Sequence, residues 1–382
     1  MNADVRVLRV MTRANLGGPA RQMRALARHL PDQGVRQLWC FGRTGPVEVE
    51  LADIGIVQNS AQVERQGLNA EGSVRLNDFG RGLDPGGDLL TLRALLRLVK
   101  TFQPQIIHTH TAKAGLLGVV LAARTGLPLV HSFHGHVLRD YWGERRSEGL
   151  RWVERALCRR RTAIHCVSES CADELVELGV FAREDCVVIP SILDPSSLEP
   201  AMNREHARER LTIDPGEWAM AWVGRLVAVK DPGLLAETLR HLVELAPDRP
   251  TRVHVFGAGP LESELRQAAQ DLPLIFHGAR ADLPQLLRAF DLMLSTSRRE
   301  GFPVSVLEAL AQGVPVVGPE VPGLVDLAGP GLRLCARDAA SLASACLAPQ
   351  AVPVERSQTL RRLHDPMVLA SRYAELYRKV LY

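Results

Sequence analysis

Short apolar runs alternate with helix-period segments along almost the whole chain. VRVLRVMT (Val5–Thr12), QLWCFG (Gln37–Gly42), QIIHTH (Gln105–His110), PLVHSF (Pro128–Phe133), AIHCVS (Ala163–Ser168) and CVVIPS (Cys186–Ser191) have the length and branching of buried strands. Between them lie amphipathic stretches such as ARQMRALARHL and LLTLRALLRLVKTF. Strands alternating with helices at this spacing predict right-handed βαβ units on parallel sheets, an α/β fold. The pattern pauses at ILDPSSLEPAMN (Ile192–Asn203), rich in proline and serine, and then restarts with WAMAWVGR, TRVHVFG, LIFHG, LMLSTS and PVVGPE. At 382 residues the chain exceeds one ordinary core, so two doubly wound, Rossmann-like domains are expected, residues 1–190 and 191–365. A last amphipathic helix over 366–382 carries Leu369, Tyr373, Leu376, Tyr377 and Val380 on one stripe.

Composition narrows the class. The net charge of +3 gives no reason to expect a nucleic-acid partner. Seven cysteines, odd in number and without a C-x-x-C, fit a reduced cytoplasmic compartment better than a disulfide scaffold. Val5–Thr12 is too short and too interrupted by arginine for a secretory h-region. The longest apolar stretch, Gly115–Ala123, falls far below the roughly 20 residues of a spanning helix, so any membrane contact would be peripheral.

Ligands of open parallel sheets bind beyond the carboxyl ends of the strands, which directs attention to the residues after each apolar run. SRREGFPVSVLEAL follows a strand and opens a helix, with Pro303 suited to its first turn. The backbone N–H groups of Gly301 to Ser305 would form an anion site there, and Glu300 and Glu308 lie in an E-x7-E spacing. VGRLVAVKDPGLL places Arg225 at a strand end and Lys230 before a helix with Asp231 as N-cap and Pro232 in the first turn. Two cations around one turn can clamp a diphosphate, or form a solvated basic face. Gly17-Gly18 either lets a ligand approach the backbone or serves a tight turn. Gly257 and Gly259 begin a dinucleotide fingerprint that Glu262 breaks.

Five of twelve histidines, His108, His110, His131, His134 and His136, fall within 29 positions. Zinc would want thiolate or carboxylate support, yet no cysteine lies between Cys40 and Cys158, and no acidic residue occurs in this stretch before Asp140. The chain also has no D-x-D pair to grip a metal–nucleotide complex. Neither a metal nor another cofactor is expected. Imidazoles at strand ends serve equally as hydrogen-bond partners of sugars and phosphates.

In order, GGPARQ, FHGH, VIPSILD, GRLVAVKD, FGAGPLESEL and EGFPVSVLEALAQGVPVV resemble the family 4 retaining glycosyltransferases of GT-B fold, whose two Rossmann-like domains face each other across a cleft. The resemblance spans nearly the whole chain, and its terminal helix would pack back on the N-terminal, acceptor-side domain. It implies a nucleotide-diphosphate sugar, by family frequency a UDP-sugar, as co-substrate held by the C-terminal domain. Arg225 and Lys230 would stabilise the leaving diphosphate, with Gly17 and Gly18 behind it and the backbone of Val304 and Ser305 on the phosphates. Glu308 would hold the ribose, and Arg280 would lie beside the base. Glu300, with Gly301, Phe302 and Pro303, would meet the transferred sugar, as would His134. His136 would be an acceptor-side neighbour and His131 structural. Where the family often has a Val-Ile-Pro-Asn-Gly linker, this chain has Ser191 and Leu193 around Ile192, a departure that touches the hinge.

HTHTAKAGLLG and HSFHGHVLRDYW look most like bacterial enzymes of surface-polysaccharide synthesis, with a glycan or lipid-linked acceptor. Between Arg139 and Arg161, eight arginines stand against four acidic residues, with Leu150, Val153 and Leu157 on one stripe beside Trp152. Such a helix either rests on anionic lipid at the inner face of the cell membrane or packs on its own domain with a solvated arginine face. A nucleotide-sugar 2-epimerase, an NAD-dependent dehydrogenase and a non-catalytic nucleotide-sugar-binding module are the competing readings.

Overall fold

A computed structural model describes residues 4–12, 18–42, 57–59, 72–80, 82, 84–135, 138, 144–158, 162–195, 198 and 202–382. The chain divides into two compact units, Met1–Ile192 with Pro366–Tyr382, and Leu193–Asp365. The division falls between two consecutive apolar residues. Ile192 is buried in the core of the first unit and Leu193 in that of the second, so the break lies inside VIPSILD at 192/193.

The first unit is built on eight strands, β1 (Val5–Met11), β2 (Val35–Phe41), β3 (Val57–Asn59), β4 (Gly72–Arg75), β5 (Ile106–Thr109), β6 (Leu129–Phe133), β7 (Thr162–Cys166) and β8 (Cys186–Val188). They pair in the order β3-β4-β2-β1-β5-β6-β7-β8, every pairing parallel. A parallel sheet is covered on both faces, which is why its central strands read as continuous apolar runs. One face packs on helices Gly18–His29 and Pro366–Leu381, where Met23, Leu26 and Trp39 meet Leu369, Tyr373 and Tyr377. The other face meets Pro85–Phe102 and Ala112–Thr125, through Leu92, Leu95 and Leu121. Asp84 caps the first of these by accepting from Gly87 N, with Pro85 in the opening turn.

The second unit has β9 (Trp218–Val223), β10 (Thr251–Phe256), β11 (Leu274–Gly278), β12 (Leu292–Leu294), β13 (Val316–Pro319) and β14 (Leu332–Cys335) in the order β11-β10-β9-β12-β13-β14, again parallel. That is the 3-2-1-4-5-6 order of a Rossmann sheet, with its switch point between β9 and β12. In the first unit the order turns between β1 and β5. The two switch points direct attention to the residues after β9 and β12, and to those after β1 and β5. β3, β4 and β14 are strands that the apolar pattern does not announce, being only three or four residues long.

Candidate functional site

In the second unit, Arg225 is exposed two residues beyond β9, and Lys230 closes a 3-10 turn, Ala228–Lys230. Asp231 sits in the left-handed region at φ 49° and caps helix Pro232–Leu245 by accepting from Leu234 N, as the spacing predicts. Its carboxylate also pairs with Arg298, at 2.8 Å, and with Arg337. Thr296, beyond β12, pins this turn by donating to the carbonyls of Lys230, 2.8 Å, and Asp231, 3.0 Å. Trp222 Nε1 in turn donates to the same hydroxyl at 2.9 Å.

The result is a direct meeting of the two motifs. Lys230 Nζ is ion-paired with Glu300 Oε1, and Ser297 Oγ donates to that oxygen at 2.7 Å. Glu300 is held from behind as well, its N–H donating to Pro322 O at 3.0 Å. Gly323, at φ 83°, lies so close that a Cβ there would stand 2.6 Å from the Glu300 carbonyl oxygen. Pro303 is the N-cap of helix Val304–Ala311 and lies just outside the first turn, a one-position correction. Val304 and Ser305 therefore take the first two helical positions, whose N–H groups have no acceptor one turn earlier. Glu308 is buried at 3% exposure within this helix, and the Phe302 ring lies 5.2 Å from that of His364. Arg280 follows β11 and is held by Asp282 through bonds of 2.9 and 2.7 Å, which keep that carboxyl below its ordinary range. The structure thus brings Lys230 and Glu300 into contact and ties the turn after β9 to the loop after β12.

In the first unit, Gly18 opens helix Gly18–His29, while Gly17 and His136 lie outside the described residues. His108, His110, His134 and His165 gather on one face of the sheet, and His131 lies on the other with Thr109. The rings of His108 and His110 stack at 4.2 Å, and His110 is stacked on its other side by Trp39 at 5.3 Å. His110 Nδ1 lies 3.1 Å from His134 Nε2, and His131 Nδ1 lies 2.7 Å from Thr109 Oγ1. Among the described residues no group of three or more His, Cys, Asp or Glu could hold a metal ion.

A second set of bonds runs through His108 to the terminal helix. Its direction follows from its ends, because a guanidinium only donates and a carbonyl only accepts. Arg9 donates to the Tyr377 hydroxyl, which donates to His108 Nδ1 at 2.7 Å. His108 Nε2–H donates to Ser132 Oγ at 2.7 Å, and Ser132 to His165 Nδ1 at 2.7 Å. His165 Nε2–H ends the chain on Ile189 O at 2.9 Å. Each imidazole in it is neutral, with one nitrogen donating and the other accepting. Burial, reinforced by the Arg9 charge, keeps His108 and His110 far below their ordinary range, lowers His134 to about 4 and His165 to about 3. His131 is lowered to about 3 by burial and His134.

Arg9 is wholly buried in β1, with its guanidinium 4.6 Å from the Trp39 ring centre. The sequence reading missed Arg9, Trp39, Ser132, Ser297, Thr296 and Gly323. Only Arg9 left a trace, a charge inside an apolar run.

The arginine-rich segment forms helix Glu144–Cys158. Leu157 is buried and Leu150 packs against the core beneath, so its apolar stripe is used internally. Arg155 is spent on the carbonyls of Leu178 and Gly179, each at 2.7 Å, whereas Trp152 stays 70% exposed. No described helix is long and apolar enough to cross a membrane.

Two parallel Rossmann-like sheets, the second with Lys230 and Glu300 paired beyond its strand ends, match the GT-B class of sugar-transfer folds. A family model described as Glycosyltransferase Family 4 matches residues 16–197, and one described as Glycosyl transferases group 1 matches residues 218–348. The chain belongs to the family 4 glycosyltransferases of GT-B fold. Among curated relatives, a UDP-Gal:alpha-D-GlcNAc-diphosphoundecaprenol alpha-1,3-galactosyltransferase of Escherichia coli is 29% identical over 62% of this chain and 63% of its own. A 2-deoxystreptamine N-acetyl-D-glucosaminyltransferase of Streptomyces fradiae is 28% identical over 86% of this chain and 82% of its own. The match reaches only 52% of a D-inositol 3-phosphate glycosyltransferase of Nocardia farcinica, so the chain spans less than two thirds of several of the relatives it matches. Among solved structures, Anabaena HepE with UDP and glucose superposes with a TM-score of 0.77 at 20% identity, over 98% of this chain and all of that one. Sucrose-phosphate synthase of Thermosynechococcus elongatus gives 0.78 at 17% identity, over 98% of each chain. At such identities these two show the fold.

Proposed function

We propose that the chain is a retaining glycosyltransferase that moves a sugar from a nucleotide-diphosphate sugar, a UDP-sugar, to a hydroxyl of a glycan or lipid-linked acceptor without a metal. The observation that carries this reading is the pairing of Lys230 with Glu300 above the start of helix Val304–Ala311. It joins an ammonium to a carboxylate four residues before a helix whose first two N–H groups have no intrahelical acceptor, at a Rossmann switch, and supports a cradle for a diphosphate with its sugar.

In this reading the bond between the anomeric carbon and the diphosphate oxygen breaks first. Arg225, Lys230 and the helix N-terminus stabilise the charge that develops on the departing phosphate. The acceptor hydroxyl forms its bond to the same face of the anomeric carbon, and its proton passes to the departing phosphate oxygen. Glu308 holds the ribose and Arg280 flanks the base. Glu300, Gly301, Phe302, Pro303 and His134 meet the sugar, and His136 lies toward the acceptor. Two carboxylates acting as acid and nucleophile, the glycosidase scheme, do not fit, because Glu308 is assigned to ribose. The UDP-galactose donor of the E. coli relative and the UDP of the HepE complex support the nucleotide, and the diphosphoundecaprenol acceptor of the former supports a lipid-linked one. A role in cell-surface polysaccharide synthesis at the inner face of the membrane agrees with such an acceptor. Trp152 is the exposed side chain that would touch lipid.

A panel of nucleotide-sugars in a thermal-shift assay, followed by the best hit with lipid-linked and free acceptors, tests the proposal. The expected product keeps the anomeric configuration of the donor. Epimerised or hydrolysed nucleotide-sugar with no product on any acceptor would overturn it.

A further inference from the structure

We infer that His110 is a positioning residue that fixes His134 as the neutral imidazole with its single proton on Nδ1. His134 therefore meets a ligand as a hydrogen-bond donor and has no free nitrogen lone pair with which to act as a base. The inference concerns the tautomer of this chain's own side chains, and its consequence for transfer rests on the donor-sugar role proposed for His134.

The argument starts from His110. Its ring is held between Trp39, at 5.3 Å, and His108, at 4.2 Å, so its plane cannot turn without breaking both stacks. His108 cannot yield either, because both its nitrogens are engaged, by Tyr377 and by Ser132. In this pose His110 Nδ1 faces His134 Nε2 at 3.1 Å, and His110 Nε2 is buried with no hydrogen-bond partner among the described residues.

Two proton arrangements are compatible with one bond between the rings. If His134 donated from Nε2, His110 would carry its proton on Nε2, an N–H buried with nothing to accept it. If His110 donates from Nδ1, only a lone pair is left unmet at its Nε2. Orphaned buried N–H groups are rarer and costlier than orphaned acceptors, so the second arrangement wins. His134 Nε2 then accepts, and its one proton lies on Nδ1.

The charge environment keeps the pair neutral. Among the described residues, the groups that bear on His134 are Arg9, His108, His110 and His165, with His131 across the sheet, and no carboxylate stands among them to favour an imidazolium. Burial and Arg9 both push His134 down, to about 4.

Long-range 1H–15N NMR of the full chain, labelled with 15N-histidine, reads which imidazole nitrogen holds the proton. The His134 signal is identified from its loss in His134→Gln. The wild-type protein at pH 7 should show His134 protonated on Nδ1 alone. A proton on Nε2 would overturn the inference without any further variant. In His110→Phe, which keeps a ring between Trp39 and His108 but has no donor, His134 should revert to the Nε2–H form that free imidazole side chains favour. In His110→Asn, whose amide nitrogen replaces Nδ1, the Nδ1–H form should persist. An unchanged tautomer in His110→Phe would show that His110 does not set it, and sink the positioning role. Donor turnover should fall about tenfold in His110→Phe, the worth of one misplaced hydrogen bond, and recover in His110→Asn. A tautomer that switches with turnover unchanged overturns the donor-contact role of His134 and leaves the tautomer assignment standing.

Discussion

Lys230 and Glu300, 70 residues apart, hold each other's charge, with the Ser297 hydroxyl as third member of the group. Both side chains are largely shielded from water, at 19% and 12% exposure. An anion arriving at Lys230 must compete with the carboxylate already there, so in the proposed role of Lys230 donor binding would be coupled to the position of Glu300.

Lys230→Ala should lower the transfer rate by about a hundredfold or more, the scale of removing one preorganised partner of a developing charge. Steady-state kinetics with the best donor checks this. A rate within a few-fold of wild type would remove Lys230 from the diphosphate.

Gly323→Ala acts on the same site from behind. A Cβ would sit 2.6 Å from the Glu300 carbonyl oxygen and 2.7 Å from the Glu300 Cβ, on a backbone at φ 83° that favours glycine. The expected outcome is a stability loss of about 1–2 kcal/mol together with a clear fall in kcat. If denaturation shows the loss while kcat stays intact, Glu300 is not where transfer is decided.

Two sets of buried groups give opposite pH slopes. His131 and His165 are lowered to about 3, and His134 to about 4, chiefly by burial. Below the ordinary range near 6.5, the unfolded chain takes up protons that these folded groups refuse. Stability present above 6.5 is therefore lost as pH falls toward the folded values, by up to about 1.4 kcal/mol per histidine per unit. Glu154 runs the other way, because burial raises it to about 7 while its Oε2 has no partner among the described residues. Its contribution is complete below the ordinary carboxylate range and is lost as pH rises through 7. Urea denaturation from pH 5 to 8.5 should show stability rising to about pH 6.5 and levelling above 7, and Glu154→Gln should steepen the rise between pH 5 and 6.5. A curve with no rise between pH 5 and 6.5 would contradict the assignment.

Tyr377→Phe removes the hydroxyl between Arg9 and His108 Nδ1. It leaves a buried guanidinium short of an acceptor and should cost about 1–3 kcal/mol, read as a lower Tm for the first unit. A neutral effect would mean the chain from Arg9 to Ile189 carries no stability.

Exhaustive treatment with EDTA should leave transfer unchanged, since in the proposed scheme Arg225, Lys230 and the helix N-terminus take the part of a divalent ion. Loss of activity restored by Mg²⁺ or Mn²⁺ would end the metal-independent scheme.

Much of the fold is written locally. The apolar runs mark most strands to within a few residues, and Asp231-Pro232 marks the start of its helix, because these signals arise from neighbours in sequence. β3 and β4 are not legible, since strands of three and four residues are too short to carry a pattern. At the site, Lys230 and Glu300 are separately visible as charges after strands, but their contact is not. The arginine-rich helix shows the limit of a periodicity argument. Its stripe is real, yet whether it meets lipid or its own core depends on what packs beneath it, and Leu150 and Leu157 face inward.

The five clustered histidines divide the two kinds of information most clearly. The residues alone argue against a metal, because no thiolate or carboxylate stands near enough in the chain to support one. They also fix the strand ends on which the imidazoles fall. What each imidazole does was decided by side chains far away in sequence, with Tyr377 brought to His108 across 269 positions and to Arg9 across 368. A hydrogen bond has a direction that only its partner sets, so the protons of His108, His110 and His134 became assignable only once the fold had supplied those partners.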